Sequence, residues 1–327
     1  MNVLITGGAG FIGSHLSERL LANGDEIYAI DDLSTGSLDN IRHLEDNSRF
    51  HLKIGTVLDR ETVEPFVDKC DLIYHLAAAV GVEYIIENPL HSLINNIRGT
   101  EVLLELANQR KTRVILASTS EIYGKKNGRV PFKEDDDRVL GPTTIIRWSY
   151  STSKAVDEYF ALAYWREKKL PVVIVRFFNV IGPRQTGQFG SVVPRFVKQS
   201  LLGHPISVHG DGEQRRCFTD IDDALDGLIS LATHPDSPGE IFNLGSDNEG
   251  NEISVKDLAE KVKGLTESDS VIDYVPYEKA FAKGWYEDLN YRVPNLEKIR
   301  SAVGYDPKVS LDTTLRRIIA HSLQNVN

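Results

Sequence analysis

The stretch Val3–Thr6 runs directly into Gly7-Gly8-Ala9-Gly10-Phe11-Ile12-Gly13, and the chain continues as an amphipathic run, SHLSERLLAN. Glycines at 7, 10 and 13 permit a turn too tight for side chains. They also let the backbone approach a pyrophosphate closely and place that phosphate at the positive end of the following helix. This strand, glycine turn and helix constrain the fold more than any other segment. They predict an α/β protein built on a doubly wound parallel sheet of the Rossmann type.

The first half of the chain supports that expectation. Short β-branched runs at Val3–Thr6, Glu26–Ile30, Asp71–Leu76, Arg113–Ala117 and Val172–Phe177 read as strands. Between them, helices are expected at Phe11–Asn23, Glu61–Phe66, Ile97–Gln109 and Ser151–Lys168. The alternation is that of βαβ units, and VILAS and VVIVRFF are apolar enough to be covered on both faces. From Asn179 the texture changes: glycine and proline become frequent in IGPRQTGQFG and LGHPISVHGDGEQ, and the alternation breaks down. We expect a dinucleotide-binding unit over residues 1–178 and a smaller lobe over 179–327 that binds the substrate and is partly interleaved with the first. The acidic run Glu134–Asp137 reads as a solvated loop.

Composition removes several classes of function. With 327 residues, 41% hydrophobic and 26% charged, the chain has an ordinary globular balance and is neither a disordered tail nor a fibre. A net charge of −10 argues against nonspecific nucleic-acid binding. Cys70 and Cys217 lie far apart and outside any C-x-x-C, which indicates neither a disulfide framework nor a zinc cluster. They read as reduced thiols in a cytoplasmic protein. No apolar run approaches the ~20 residues of a membrane span, and the N-terminus reads as a first strand, not a signal peptide. The expectation is a cytoplasmic protein with no metal and no nucleic-acid or membrane partner.

Asp31-Asp32 stands at the end of the second strand, 18 residues beyond Gly13. A carboxylate there accepts hydrogen bonds from ribose hydroxyls and repels a 2′-phosphate; with Leu33-Ser34-Thr35-Gly36 following and no arginine, NAD is favoured over NADP. The competing reading of either aspartate is a surface turn acid. Tyr150 and Lys154 lie four apart in S-Y-S-T-S-K, on one face of a helix. An ammonium near the phenol lowers its pKa and makes it a general base for a sugar hydroxyl that loses hydride from the same carbon. Thr119, with Ser120 and Glu121, follows the strand VILA, where a parallel sheet collects functional groups.

TGGAGFIGSHL, DDLSTG, HLAA at His75–Ala78, STSEIYG, YSTSK, RFFNVIGPR and GDGEQRRCFTDIDDA, in this order, resemble an extended short-chain dehydrogenase/reductase that acts on nucleotide sugars. The resemblance covers essentially the whole chain. It implies a catalytic triad of Tyr150, Lys154 and Thr119, with Ser120 and Glu121 beside it. It also implies tightly held NAD, reduced and reoxidised within one turnover. The implied cofactor contacts are Gly7, Gly10, Phe11, Ile12, Gly13, Asp31, Asp32, Leu76, Ala77 and Ala78, together with Tyr150 and Lys154. Thr56 departs from the pattern, since relatives commonly carry there an aspartate that contacts the adenine. Asn179, Arg184, Arg195, Arg216 and Arg292 match or neighbour positions that relatives use for the nucleotide sugar. Arginine forks suit diphosphate or carboxylate, with surface ion pairs as the competing reading. A homodimer is implied, formed when the helix bearing Y-x-x-x-K and its neighbour pack into a four-helix bundle.

Within that family, Glu121 after Thr119-Ser120 resembles both UDP-glucuronate decarboxylases and GDP-mannose 4,6-dehydratases. The R-W-S-Y-S at Arg147–Ser151 resembles the decarboxylase domain that makes the aminoarabinose precursor and plant apiose/xylose synthases. RCFTDI and KGWYEDLNYRVPN point the same way, to decarboxylases. The implied reaction is oxidation at C4, loss of the C6 carboxylate from the resulting β-keto acid, protonation at C5 and return of hydride, which gives a UDP-pentose. Glu121 would hold or relay a proton and Arg216 would assist protonation. The same opening step serves a 4-epimerase and, third, a 4,6-dehydratase. A reading of a different class is a catalytically idle NAD-binding sensor or scaffold.

Overall fold

Val3 and Ile5 turn their side chains into one core layer and Leu4 turns its own into the other, so the first strand is buried on both faces. That is the environment of a strand inside a parallel sheet. The computed structural model describes residues 1–188, 190–281 and 287–325. Six strands come first: β1 (Asn2–Thr6), β2 (Glu26–Asp31), β3 (Phe50–Ile54), β4 (Leu72–His75), β5 (Arg113–Thr119) and β6 (Val172–Phe177). Short strands follow as β7 (Val180–Ile181), β8 (Ile206–His209), β9 (Arg215–Cys217) and β10 (Thr219–Asp220). Then come β11 (Ile241–Leu244), β12 (Glu252–Ser254), β13 (Ile272–Val275) and β14 (Tyr291–Arg292). The early helices are α1 (Phe11–Ala22), α2 (Arg60–Val67), α3 (Val82–Glu87), α4 (Pro89–Arg110) and α5 (Trp148–Lys168). The later ones are α6 (Val192–Leu201), α7 (Ile221–Thr233), α8 (Val255–Leu265), α9 (Tyr277–Ala280), α10 (Glu297–Val303) and α11 (Leu311–Asn325).

Seven strands form the central sheet in the order β11-β6-β5-β4-β1-β2-β3, all neighbours parallel. The strand order reverses between β1 and β4, and ligands of such sheets bind outside the carboxyl ends at that switch point. Thr6 pairs with both Ile30 and His75, so β1, β2 and β4 end level. One face is covered by α1, α7 and α10 through Leu16, Leu20, Leu225, Leu228 and Ile299. The other is covered by α2, α4 and α5 through Val63, Leu103, Leu104 and Ala161. A separate core of Phe196, Val208, Leu258 and Leu315 joins α6, β8, α8 and α11. Residues beyond 178 therefore serve two units: β11, α7 and α10 complete the sheet and its cover, while α6, α8 and α11 build the smaller lobe.

A buried ion pair locks α5 to the sheet. Glu158 accepts from Arg176 Nε (2.9 Å) and Nη2 (2.7 Å) and from Ser118 Oγ (2.5 Å), which ties α5 to β6 and β5. Removing one partner from such a buried pair typically costs ~3–5 kcal/mol.

The structure corrects the sequence reading in four places. β3 was not expected; it is an edge strand whose Lys53 and Ile54 are exposed, so it lacks an apolar run. The fourth helix begins at Pro89, not Ile97, because its first turns bury Ser92, Asn95 and Asn96 in place of apolar side chains. Asn96 accepts from Ala79 N (2.7 Å) and donates to Ser153 Oγ (3.2 Å), which satisfies it without water. The helix expected from Ser151 begins at Trp148, which puts Tyr150 in its first turn. Finally, Glu134–Asp137 is only in part a solvated loop. Glu134 accepts the Asn243 amide (2.8 Å), and Asp136 accepts Lys126 Nζ (2.5 Å) and the Lys133 amide (2.9 Å), leaving Asp135 and Asp137 exposed.

Candidate active site

Gly7 has φ of +75°, and a Cβ on Gly13 would stand 2.1 Å from the Gly7 carbonyl oxygen, so α1 packs directly on the turn that precedes it. The helix opens at Gly10 with no side-chain cap and no acid in its first turn. Its leading N–H groups and positive dipole end therefore face the cleft lined by Phe11 and Ile12. Leu76, Ala77 and Ala78 line the cleft too, with the Leu76–Ala77 backbone packed against Gly7. Asp31 Oδ2 accepts from Ala9 N (2.9 Å) and Oδ1 from Leu33 N (2.8 Å), which braces the glycine loop. Burial raises the Asp31 pKa against the lowering effect of those bonds. Asp32 closes a turn instead, with Oδ1 accepting from Ser34 N (2.9 Å) and Oγ (2.6 Å). The cradle supplies what a dinucleotide needs: bare backbone, open N–H groups and a carboxylate at the ribose end of the loop. The cleft measures about 1470 Å³, larger than a usual single-ligand pocket of ~300–1,000 Å³. It has room for a dinucleotide and a second ligand end to end.

At its centre stand Thr119, Ser120, Tyr150 and Lys154, all lining the cleft. The Thr119 hydroxyl accepts the Glu121 amide (3.2 Å) and also interacts with the Tyr150 phenol. The Lys154 ammonium is held at 2.7 Å by Asp157 Oδ2, both groups being buried. Burial first, then the charges of Glu121 and Asp157, push the Tyr150 phenol up, and Thr119 and Arg292 only partly oppose them.

Beyond Tyr150 lies an ionic cluster. Glu121 Oε1 meets Arg292 Nη1 at 3.1 Å and Arg147 Nη2 at 3.5 Å. Asp288 Oδ1 meets Arg216 Nη2 at 2.9 Å and Arg147 Nη1 at 3.2 Å, and Asp288 Oδ2 accepts the Tyr277 hydroxyl (2.9 Å). Burial would raise both carboxyls, but the neighbouring arginines more than offset it, so Glu121 and Asp288 lie below the ordinary carboxylate range. Burial and the nearby Arg216 push Arg292 down to about 10. Asn179 Oδ1 accepts from Arg292 Nε (3.0 Å), and its Nδ2 donates to the Cys217 carbonyl (3.1 Å), so it aims Arg292.

The predicted residues thus divide. Tyr150, Lys154, Thr119, Ser120, Glu121, Asn179, Arg216 and Arg292 come together. Arg292, not Arg216, touches Glu121. Arg184 lies at the mouth, bonded to Glu18 Oε2 (2.6 Å) and the Asn40 carbonyl (3.1 Å). Arg195 faces the His209 ring (Nε2 at 3.1 Å) and the Ser207 carbonyl (3.3 Å). Arg215, adjacent to Arg216 on β9, points the other way to Glu252 (2.6 Å). Lys283–Tyr286 of KGWYEDLNYRVPN lie outside the described residues. Arg147 and Asp288 were quoted only as parts of motifs, and Asp157 was missed altogether. Its signal was an acid three residues after Lys154, among the core-facing positions of α5.

The GDP-mannose 4,6 dehydratase family model matches residues 4–318. The chain is 39% identical to the UDP-N-acetyl-alpha-D-glucosaminuronate decarboxylase of Bacillus cytotoxicus, over 97% of this chain and 96% of that one. It is 35% identical to UDP-glucuronic acid decarboxylase 1 of Arabidopsis thaliana, over 98% of this chain and 69% of the relative. In structure it resembles a UDP-glucuronic acid 4-epimerase from Bacillus cereus, solved with UDP-glucuronic acid and NAD. There the TM-score is 0.88 and the identity 30%, covering 99% of this chain and 100% of the other.

Proposed function

Since the chain belongs to the GDP-mannose 4,6 dehydratase family, within the extended short-chain dehydrogenases/reductases, we propose that it is an NAD-dependent decarboxylase of a UDP-hexuronate. The observation that carries this reading is the ionised Glu121 held by Arg292 and Arg147 beside Tyr150. Decarboxylation needs a place for the electron pair that neutral CO2 leaves behind and a route for a proton to C5. A 4-epimerase needs neither.

The glycine cradle, Asp31 and the Leu76–Ala78 wall hold the dinucleotide, which when bound accepts hydride from the sugar C4 and later returns it. Thr119 holds the C4 oxygen and Tyr150 takes its proton. The ketone formed lies β to the C6 carboxylate, so the C5–C6 bond breaks and its electron pair enters the ketone as an enolate. C6 leaves as CO2, and Glu121, aimed by Arg292, takes up a proton from solvent and hands it on to C5. Arg216 and Arg147 hold the anionic groups of the substrate from the far side.

The sugar is glucuronate, the reading carried by the sequence. The 39% identical relative favours a second reading, the 2-acetamido sugar, with the same chemistry at C4 to C6. The described helices include none long and apolar enough to cross a membrane, and the buried free thiols of Cys70 and Cys217 fit a cytoplasmic location. Two copies pair through α4 and α5, whose Leu90 and Tyr159 are 70% and 67% exposed beside the shared α4–α5 packing.

Incubation with UDP-glucuronate and with its N-acetylglucosamine counterpart, followed by NMR in D2O and by CO2 release, tests the reading. A UDP-pentose carrying deuterium at C5 is expected. A C4 epimer that retains C6 would replace decarboxylation with epimerisation, and bound NAD with no turnover on any nucleotide sugar would leave a sensor or scaffold.

A further inference from the structure

Asp157 is fully buried on α5, three residues after Lys154, and its Oδ2 takes the Lys154 ammonium at 2.7 Å. Its second oxygen makes no hydrogen bond of normal geometry among the described residues, while the Thr100 hydroxyl approaches the carboxylate from α4. Thr100 Oγ1 in turn meets His75 Nε2 at 3.2 Å, and His75 Nδ1 meets Thr6 Oγ1 at 2.8 Å. Thr6 Oγ1 also accepts the Ala77 amide at 3.2 Å. Burial pushes His75 down to about 3, so it is neutral and has one N–H to give. Because the Asp157 carboxylate can only accept, the Thr100 proton goes to it, so His75 Nε2–H donates to Thr100 and His75 Nδ1 accepts from the Thr6 hydroxyl. The Thr100 hydroxyl is then directed at Asp157. This chain of dipoles runs from the cofactor-side wall at Ala77 through β1, β4 and α4, and every side chain in it is buried. Its fixed dipoles hold the charge of Asp157 in place.

We propose that Asp157 is a positioning residue: it fixes the Lys154 ammonium beneath Tyr150 and, by balancing that charge, sets the pH at which Tyr150 works as a base. The groups acting on the phenol are Glu121, Thr119 and Arg292 from outside α5 and Asp157 from α5 itself, where Asp157 holds Lys154, four residues after Tyr150. Those facing Asp157 are Lys154 and Glu158 on its own helix and Thr100 on α4. Arg292 and Thr119 favour the phenolate, whereas Glu121 and Asp157 oppose it. Loss of the Asp157 charge leaves Lys154 unopposed, and the phenol gives up its proton at lower pH.

This inference rests on Tyr150 being the base, and its test separates the two. In the NAD-loaded protein, the tyrosinate absorbance of each form minus that of the same form carrying Tyr150→Phe isolates the titration of Tyr150. Asp157→Asn should lower the midpoint by ~1 pH unit or more, and Asp157→Glu should keep it close to the wild type. The acid limb of kcat/KM for reduction of bound NAD by UDP-glucuronate should move the same way. A folded Asp157→Asn protein whose midpoint stays or rises overturns the proposal. If that variant does not fold, Asp157→Ser carries the same expectation. Collapse of both neutral variants with a sound Asp157→Glu would assign the charge to the fold instead, and also overturns it. A shifted midpoint without turnover on uronates leaves Asp157 as assigned and removes the proposed reaction.

Discussion

Replacing Gly13 with alanine tests the cofactor cradle at its tightest point. The new Cβ would stand 2.1 Å from the Gly7 carbonyl oxygen and 2.9 Å from both the Gly7 carbonyl carbon and Gly8 Cα. All three are backbone atoms of the turn, so no rotamer change relieves the clash, and the turn and α1 must separate by roughly 1 Å to restore ordinary contact. Overpacking of this kind costs ~1–3 kcal/mol. Because the displaced turn is itself the pyrophosphate seat, most of that cost appears in binding. At 1.4 kcal/mol per tenfold, a cost of ~2–3 kcal/mol weakens NAD by ~30- to 150-fold. Gly264 supplies the contrast: it lies in α8 with no atom within 4 Å of its Cβ position. Gly264→Ala should therefore leave NAD binding alone and stabilise the protein by up to ~1 kcal/mol. Calorimetric titration of cofactor-stripped protein with NAD, beside thermal melts, reads both effects. If Gly13→Ala binds NAD within threefold of the wild type at an unchanged Tm, the packing of α1 on the turn has been misread.

Tyr150→Phe should keep the fold and the NAD while turnover falls ~10²–10⁴-fold; near-normal rates would remove it as the base. Asp31→Ala should weaken NAD and narrow the preference over NADP, measured by competition binding, whereas an unchanged preference would mean another group reads the ribose. Glu121→Gln should slow CO2 release and deuterium entry at C5 more than the first appearance of NADH, and equal slowing of all three would tie Glu121 to the opening oxidation alone. The carboxyls of Glu121 and Asp288 lie below their ordinary range in the folded state. The stability they contribute is therefore present above about pH 4 and lost as pH falls further. Urea titrations from pH 5 downward should show that loss, and Asp288→Asn, less stable at pH 5, should show a shallower one.

Much of the cofactor end was legible because its signals are local. The glycines, the strand before them and the helix after them lie within a few turns, and Asp31 follows at the end of the next strand. β3 escaped notice because an edge strand with Lys53 and Ile54 outward has no apolar run to reveal it. The first turns of α4 were hidden for the opposite reason: they bury amides and hydroxyls, so their helical period is written in polar letters. At the substrate end the sequence offered candidate residues but no pairings between them. Glu121 and Arg292 are 171 positions apart, and only the folded chain shows that Arg292, not Arg216, reaches that carboxylate. The pH behaviour expected of Tyr150 also needed the structure. A spacing of four puts Tyr150 and Lys154 on one face but cannot report that Asp157 has already claimed the ammonium.

The position of β11 bears on how the chain can be made. The strand that closes the sheet beside β6 is Ile241–Leu244, more than sixty residues after β6 ends and beyond α6 and α7. Until that segment leaves the ribosome, β6 presents an unpaired, almost wholly apolar edge, the kind of surface that recruits strands from other chains. The cofactor half therefore cannot be cut out at residue 178 as an independent module. A fragment ending there should aggregate, whereas one extended past β11 and α10 to include residue 303 would carry its own edge cover. Any dissection of this protein into separately expressed halves has to respect that late strand.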